Sequence, residues 1–149
     1  MKMEALVMHK IPFKEKDLIC HLLLKDGHRL NVMIYGGRSG GAKRKSSLIE
    51  LGHLIEFDLQ RPGYVQSDLS IMKEYLLKWA PKNIRHDYKA FYLVTFWMEL
   101  LEKFCVDNPH GHDQQRPESI HQGLFRVLSN GLYYLDHSLS EKCFEPAVH

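Results

Sequence analysis

The segment from Gly27 to Ser47, GHRLNVMIYGGRSGGAKRKSS, has an alternating apolar first half and a glycine-rich basic second half. From Arg29 to Tyr35, apolar residues alternate with other residues, which is typical of a half-buried strand. The strand pattern stops at Gly36-Gly37. One side of the predicted strand holds Leu30, Val32 and Ile34, and the other holds Asn31, Met33 and Tyr35.

The second half of this segment is a glycine-rich basic loop, and no Asp or Glu occurs between Asp26 and Glu50. Cationic side chains need water or an anion, because burying them without a partner is costly. A polyanion is the partner that this charge favours, since phosphates attract Lys and Arg without any sequence code. A solvated loop without a ligand is the alternative. The basic residues of the loop are Arg38, Lys43, Arg44 and Lys45.

Turn signals on both sides of this segment predict five short strands. Asp26-Gly27 favours a tight hairpin turn, because glycine adopts positive φ at little cost, and Pro12 is expected to end the first strand. Five short strands in fewer than eighty residues predict a small closed barrel. The OB-fold is the commonest such barrel, and an SH3-like barrel is the alternative on strand count. The predicted strands are Met3–Ile11, Leu18–Leu24, Arg29–Tyr35, Leu51–Gln60 and Tyr64–Met72.

After Pro81 the apolar period lengthens, which predicts two helices. The first is capped by Asn83 or Asp87 and runs to about Val106, whereas the second runs from Ser119 to about Leu139. The fold class is therefore α+β, with a five-stranded OB-fold barrel in residues 1–78 and a small helical region in residues 79–149. The tail from residue 140 is expected to fray. The predicted apolar stripes are Tyr88, Phe91, Tyr92, Thr95, Met98, Leu101, Phe104 and Cys105 in the first helix, and Ile120, Leu124, Leu128, Leu132 and Leu135 in the second.

The first helix is apolar well beyond one face, because Phe96, Trp97 and Leu100 widen its stripe. Two helices alone cannot cover so broad a surface. The barrel, further helices or a homodimer through the apolar helices would cover it.

Composition and motifs argue against several kinds of chemistry. Hydrophobic residues make up 44% of the 149 residues, no apolar run could span a membrane, and no signal-peptide pattern begins the chain, so a cytoplasmic location is expected. Cys20 alternates with leucines and is expected to be an inert core thiol. No catalytic signature, metal ligand set or cofactor motif is present, which predicts a non-enzymatic protein. The candidates that lack zinc-site spacing are Cys105, His110, His112 and Cys143.

Two aromatic residues lie where a nucleic-acid base could stack on them. Tyr35 is on the outward alternation beside the basic loop, and Phe13 is in the first turn. Lys14 and Lys16, also in the first turn, add positive charge there. The first two-thirds of the sequence is basic and the last third acidic, which favours a polyanion-facing side.

The ordered set of these features resembles RecO, the bacterial recombination mediator. The resemblance begins with EALVMHKIPFKEKDLICHLLLKDGHRLNVMIYGGRSGGAKRKSSL and continues through the helical segments DYKAFYLVTFWMELLEKF and LFRVLSNGLYYLDH. It covers most of the chain, although no single motif within it is highly specific.

The resemblance implies an N-terminal OB-fold and a helical domain that bind single- and double-stranded DNA and anneal complementary strands. It also implies recombinase loading together with RecR, and docking of the single-strand-binding protein on the helical domain. Transferred by position, the implied DNA contacts are Arg29, Arg38, Lys43, Arg44 and Lys45, with Lys14 and Lys16 as weaker transfers.

Two features depart from the family pattern. The loop carries an additional Gly40-Gly41 pair, and the sequence stops after two predicted helices, where family chains continue with more helices. The docking site for the single-strand-binding protein and the family's occasional zinc site are therefore not transferred. Two other functions stay open from the residues alone, namely a protein-interaction scaffold that uses the apolar helices and an RNA-binding OB protein.

Overall fold

The computed structural model describes residues 2–36, 49–60, 69–104 and 123–144 of the chain. Five strands close into a barrel in the order β1-β2-β3-β5-β4. The β3–β5 pair is parallel and the other four pairs are antiparallel. This arrangement is that of an OB-fold, which confirms the predicted fold class. The strands are β1 (Met3–Phe13), β2 (Asp17–Leu24), β3 (Arg29–Ile34), β4 (Leu54–Leu59) and β5 (Ser70–Trp79).

The barrel core follows the alternation of the strands. On β3, the side that holds Leu30, Val32 and Ile34 is buried inside the barrel, as the sequence predicts. The hairpin between β2 and β3 also forms as expected, because Gly27 adopts a φ of 87° and its N–H donates to the Leu24 carbonyl at 2.9 Å. The core is completed by Ala5, Val7, Leu18, Cys20, Leu22, Ile49, Ile55, Phe57 and Met72.

Strand β1 is buried on both faces, which places it in two cores. Ala5 and Val7 point into the barrel, whereas Leu6 and Met8 belong to a second core outside it. The register with β2 shifts between Val7 and His9, so Met8 is the extra residue of a β-bulge. Because both faces of the strand are covered, ordinary alternation buries four consecutive residues of β1, and the bulge comes at the end of this run.

Two helices pack on the outside of the barrel through this second core. A short 3-10 helix (Ile84–His86) leads into α1 (Tyr88–Phe104), and α2 is Leu124–Phe144. The side chain of Asp87 begins α1 by accepting a hydrogen bond from the Ala90 N–H at 3.0 Å, as predicted for a cap. The second core contains Leu6, Met8, Leu23, Ile84, Ala90, Val94, Met98, Leu128 and Leu132.

The fifth strand is the main error among the predicted elements. The sequence predicts it at Tyr64–Met72, but β5 runs from Ser70 to Trp79, and residues 61–68 lie outside the described part of the chain. Beyond Met72, Tyr75 and Leu77 pack against the barrel core while Leu76 is exposed. Half-buried and exposed residues alternate from Glu74 to Trp79, but the apolar run Tyr75-Leu76-Leu77 conceals this alternation in the sequence.

Smaller corrections apply to two other strands. Strand β1 passes Pro12 and ends at Phe13, because the fixed φ of proline suits an extended strand end. Strand β4 begins at Leu54 rather than Leu51, because Gly52 adopts a φ of 80° in the turn before it.

The predicted stripe of α1 is confirmed at Met98 and Leu101, which pack in the second core, but not at its aromatic residues, which are exposed. The second core takes Ala90, Val94 and Met98, whereas Tyr88 and Phe104 are each 69% exposed. Small side chains let the helix axis approach the barrel closely. Because apolar residues occur on most sides of this helix, periodicity alone does not show which side is buried. The α2 stripe is confirmed where described, at Leu124, Leu128, Leu132 and Leu135, and α2 continues to Phe144 although fraying was predicted from residue 140.

Candidate functional site

The β1–β2 turn and the end of β3 meet at one end of the barrel. The carboxylate of Asp17, the first residue of β2, accepts a hydrogen bond from the Gly36 N–H at 3.0 Å. Gly36 directly follows Tyr35 and is the last described residue before the basic loop. The hydrogen bond therefore joins the first turn to the base of that loop.

Lys14 occupies this turn in a conformation that residues with side chains rarely adopt. Its φ of 52° is the only positive value among described residues other than glycine, and such a backbone costs about 1–2 kcal/mol. Its ammonium group lies 5.4 Å from the centroid of the Phe13 ring, within the range of a cation–π contact. Lys16, two residues along, is exposed.

The outward faces of β1, β2 and β3 form a surface next to this turn. Tyr35 is 50% exposed and Phe13 is 37% exposed, so both rings are accessible. Next to these rings, Ile19 on β2 is aligned with Ile11 on β1 and with Met33 on β3. Two accessible rings beside an apolar row offer a surface on which flat, apolar groups could stack.

Most of the predicted loop contacts cannot be located. Arg38, Lys43, Arg44 and Lys45 lie outside the described residues and stay predictions. Arg29 is described, but it begins β3 whereas the loop follows the end of β3. Five strand steps separate it from Ile34, or about 17 Å.

Arg29 instead belongs to a charged cluster that the sequence analysis did not predict. Its guanidinium donates to a carboxylate oxygen of Glu102, on the last turn of α1, at 3.1 Å and to the Glu102 carbonyl at 3.0 Å. The Nδ1 atom of His21 lies 2.8 Å from each Glu102 carboxylate oxygen. His9 stacks obliquely on His21, with ring centroids 5.7 Å apart. The resemblance implied Arg29 as a DNA contact, and no local signal links it to a residue so distant in sequence.

The cluster holds the Glu102 carboxylate in its charged form. Burial alone would raise the pKa of Glu102, but the hydrogen bond with His21 and the charges of His21, Arg29 and His9 together lower it. The Arg29 and Glu102 side chains are only 18% and 20% exposed, so their attraction is screened less than that of a surface pair.

The outer face of β4 and β5 has a different electrostatic character. Glu56 lies 3.0 Å from Lys78 and 3.7 Å from Lys2, and the Lys78 hydrogen bond lowers the pKa of the Glu56 carboxyl. Glu56 and Asp58 line a surface depression there together with Glu74. These carboxylates make the depression a poor site for a polyanion.

The described residues carry few other candidates for chemistry. Burial raises the pKa of the Cys20 thiol to about 12, so the thiol stays neutral inside the barrel, as predicted. Among the described residues, no group of three or more His, Cys, Asp or Glu could hold a metal ion.

The helices present a broad exposed apolar surface. On α1, Tyr88, Tyr92 and Phe96 follow one another at every fourth position, and Tyr88 contacts Tyr92 edge to face. On α2, Tyr133 and Tyr134 are also exposed. Neither helix, as far as each is described, combines the length and apolar character needed to cross a bilayer.

No protein-family model matches the chain, and no curated protein matches it.

Proposed function

We propose that this chain is a non-enzymatic DNA-binding protein of the RecO type, which binds single-stranded DNA, promotes annealing and helps to load recombinase during DNA repair. The observation that carries the proposal is the hydrogen bond between Asp17 and Gly36, because it gathers the binding features at one end of an OB barrel. OB-folds commonly bind oligonucleotides across strands 2 and 3 and the adjoining loops.

The features gathered there suit a single strand. Tyr35 and Phe13 offer accessible rings for base stacking, while Lys14 and Lys16 add positive charge. The strained φ of Lys14 supports a functional role, because glycine would fit that position with less strain. The basic loop starts one residue beyond Gly36 and brings four more cationic side chains in its sequence.

The proposed mechanism is electrostatic. Lys and Arg neutralise phosphates, which reduces the repulsion between two complementary strands and lets them anneal. Binding should weaken as salt rises, with log K against log salt sloping by about −0.7 for each phosphate contacted. RecR and the single-strand-binding protein are the proposed protein partners, on the resemblance alone.

The direct test is a fluorescence-anisotropy titration of a labelled single-stranded oligonucleotide at low and moderate salt. The variant carries Ala at Arg38, Lys43, Arg44 and Lys45, and a matched control replaces four basic residues elsewhere, Lys2, Lys25, Lys78 and Lys103. We expect the loop variant alone to lose affinity and salt dependence. Salt-insensitive binding by the wild type would contradict the mechanism, and tighter binding of a matched RNA oligomer would favour RNA as the ligand.

The exposed aromatic surface of α1 and α2 favours a second candidate function, a protein-interaction scaffold. An apolar patch of more than a few hundred Å² is typical of interaction sites. Under this alternative, charge reversal of the four basic loop residues would leave function intact, whereas Tyr92→Lys on α1 would abolish it.

A further inference from the structure

We propose that Glu102 is an internal phosphate mimic, which occupies an anion site formed by His21 and Arg29 and so limits how far a nucleic acid extends along the barrel. This inference rests on the proposed function, because it concerns the same outward face of the sheet. It adds an autoinhibitory contact that comes from the helical region.

The site has the geometry of anion recognition. Both carboxylate oxygens of Glu102 lie 2.8 Å from His21 Nδ1, and one also accepts from Arg29 at 3.1 Å. Arginine is always charged and matches the shapes of carboxylate and phosphate alike. A phosphate oxygen could therefore make the same contacts with His21 and Arg29 when the Glu102 carboxylate moves away.

The position of the site favours a nucleic-acid phosphate as the competing anion. His21 is aligned with Asn31 on β3, and the same side of the strand continues through Met33, which is 7% exposed, to Tyr35, which is 50% exposed. Four strand steps, or about 13 Å, separate Asn31 from Tyr35. A single strand stacked on Tyr35 and running down the sheet would reach His21 and Arg29 within a few nucleotides.

The Glu102 carboxylate blocks that path by charge. It neutralises Arg29 and faces His21, and it comes from the last turn of α1, where helices open most readily. The cationic and titratable groups that face it are His9 on β1, His21 on β2 and Arg29 on β3.

The test is a binding cycle with the variants Glu102→Gln, Arg29→Gln and the double substitution. Glutamine keeps the size of glutamate and can still accept a hydrogen bond from Arg29, but it removes the charge. We expect Glu102→Gln to bind a single-stranded oligonucleotide several-fold more tightly. Its slope of log K against log salt should steepen by about 0.7 for one added phosphate contact, or about 1.4 for two.

Arg29→Gln separates this role from a structural one. Introduced alone, Arg29→Gln should change DNA affinity little, because Glu102 already pairs with Arg29. Introduced together with Glu102→Gln, it should abolish both the increase in affinity and the steeper salt dependence. A merely structural ion pair would change unfolding in the same cycle and leave binding unchanged. Glu99→Gln, on an exposed position of the same helix, is the matched control for loss of one negative charge.

The outcomes also distinguish this inference from the proposed function. Wild-type binding with no change in Glu102→Gln would overturn the phosphate mimic alone. Binding by Glu102→Gln but not by the wild type would support it. An absence of binding by both, with circular dichroism showing both folded, would overturn the mimic and the DNA-binding function together.

Discussion

Asp136 on α2 binds the backbone of Ile84 across 52 residues of sequence, because one carboxylate oxygen accepts the Ile84 N–H at 3.0 Å. The same oxygen accepts the Asn83 N–H at 2.7 Å, and the Asn83 side chain donates to the Asp136 carbonyl. Helix α2 thereby caps the 3-10 helix that leads into α1, in place of a local capping side chain.

Replacing Asp136 with Ala should destabilise the protein by about 1–3 kcal/mol, because two backbone N–H groups in a largely buried site lose their acceptor. Asp136→Asn keeps an acceptor oxygen and should lose less. Urea denaturation followed by circular dichroism measures the free energy of unfolding. Asn130→Ala, at an exposed position of α2, is the control, and an equal loss in Asn130→Ala would contradict this role for Asp136.

Tyr35→Ala should weaken binding of a single-stranded oligonucleotide by about 1–3 kcal/mol, which corresponds to roughly 5- to 150-fold. The ring is half exposed, so its loss should change stability little. Anisotropy titration measures the affinity. Tyr134→Ala on α2 removes another exposed tyrosine ring, which is 69% exposed, and an equal effect of both substitutions would argue against stacking on Tyr35.

Lys14→Gly should change stability and binding in opposite directions. Glycine relieves the strain of the positive φ, so the free energy of unfolding should rise by up to about 1 kcal/mol. Loss of the ammonium group should flatten the salt dependence of DNA binding by about 0.7 in log–log slope.

Thermal unfolding and anisotropy titration measure the two effects of Lys14→Gly separately. Lys25→Gly, in the turn at the other end of β2, is the control and should leave binding unchanged. A Lys14→Gly variant that is less stable than the wild type would show that the lysine side chain, rather than the turn conformation, dominates at this position.

The Glu102 cluster should make stability depend on pH in the acidic range. The pKa of Glu102 is lowered from the ordinary value of 4.5 in the folded protein, so the folded state binds fewer protons there than the unfolded chain. The ionised Glu102 carboxylate therefore contributes its full stabilisation above the ordinary pKa, and this stabilisation is lost as pH falls through the lowered pKa of the folded state.

Measured from about pH 6 to about pH 3, the difference in unfolding free energy between the wild type and Glu102→Gln should shrink towards zero, because a protonated carboxyl resembles the amide. Glu99→Gln should show no such pH-dependent difference. A difference that stays constant over the range would mean that Glu102 is not held in its charged form.

The sequence predicted the barrel well where one face of a strand is buried and the other exposed. On β3 the residues Leu30, Val32 and Ile34 enter the barrel core as their alternation predicts, although Met33 on the other side is buried as well. Prediction failed for β5, where Leu76 is apolar but exposed, and in part for α1, where Ala90 and Val94 rather than the aromatic residues of the predicted stripe face the core. In both cases tertiary packing selected among several apolar residues, which periodicity cannot do.

The candidate site was predicted only in part. Tyr35, Phe13 and Lys14 belong to short local patterns and could be identified from them. The Glu102 cluster joins residues 73 and 81 positions apart, so only the folded arrangement of α1 against the barrel reveals it.

The burial of β1 on both faces has a consequence for how this protein can be divided. Because β1 contributes Ala5 and Val7 to one core and Leu6 and Met8 to another, the helices complete the outer wall of the barrel. A fragment ending near Trp79 would keep every strand yet expose an apolar band, and it should self-associate rather than behave as an independent binding module. The smallest part that should fold independently is therefore the barrel together with both helices.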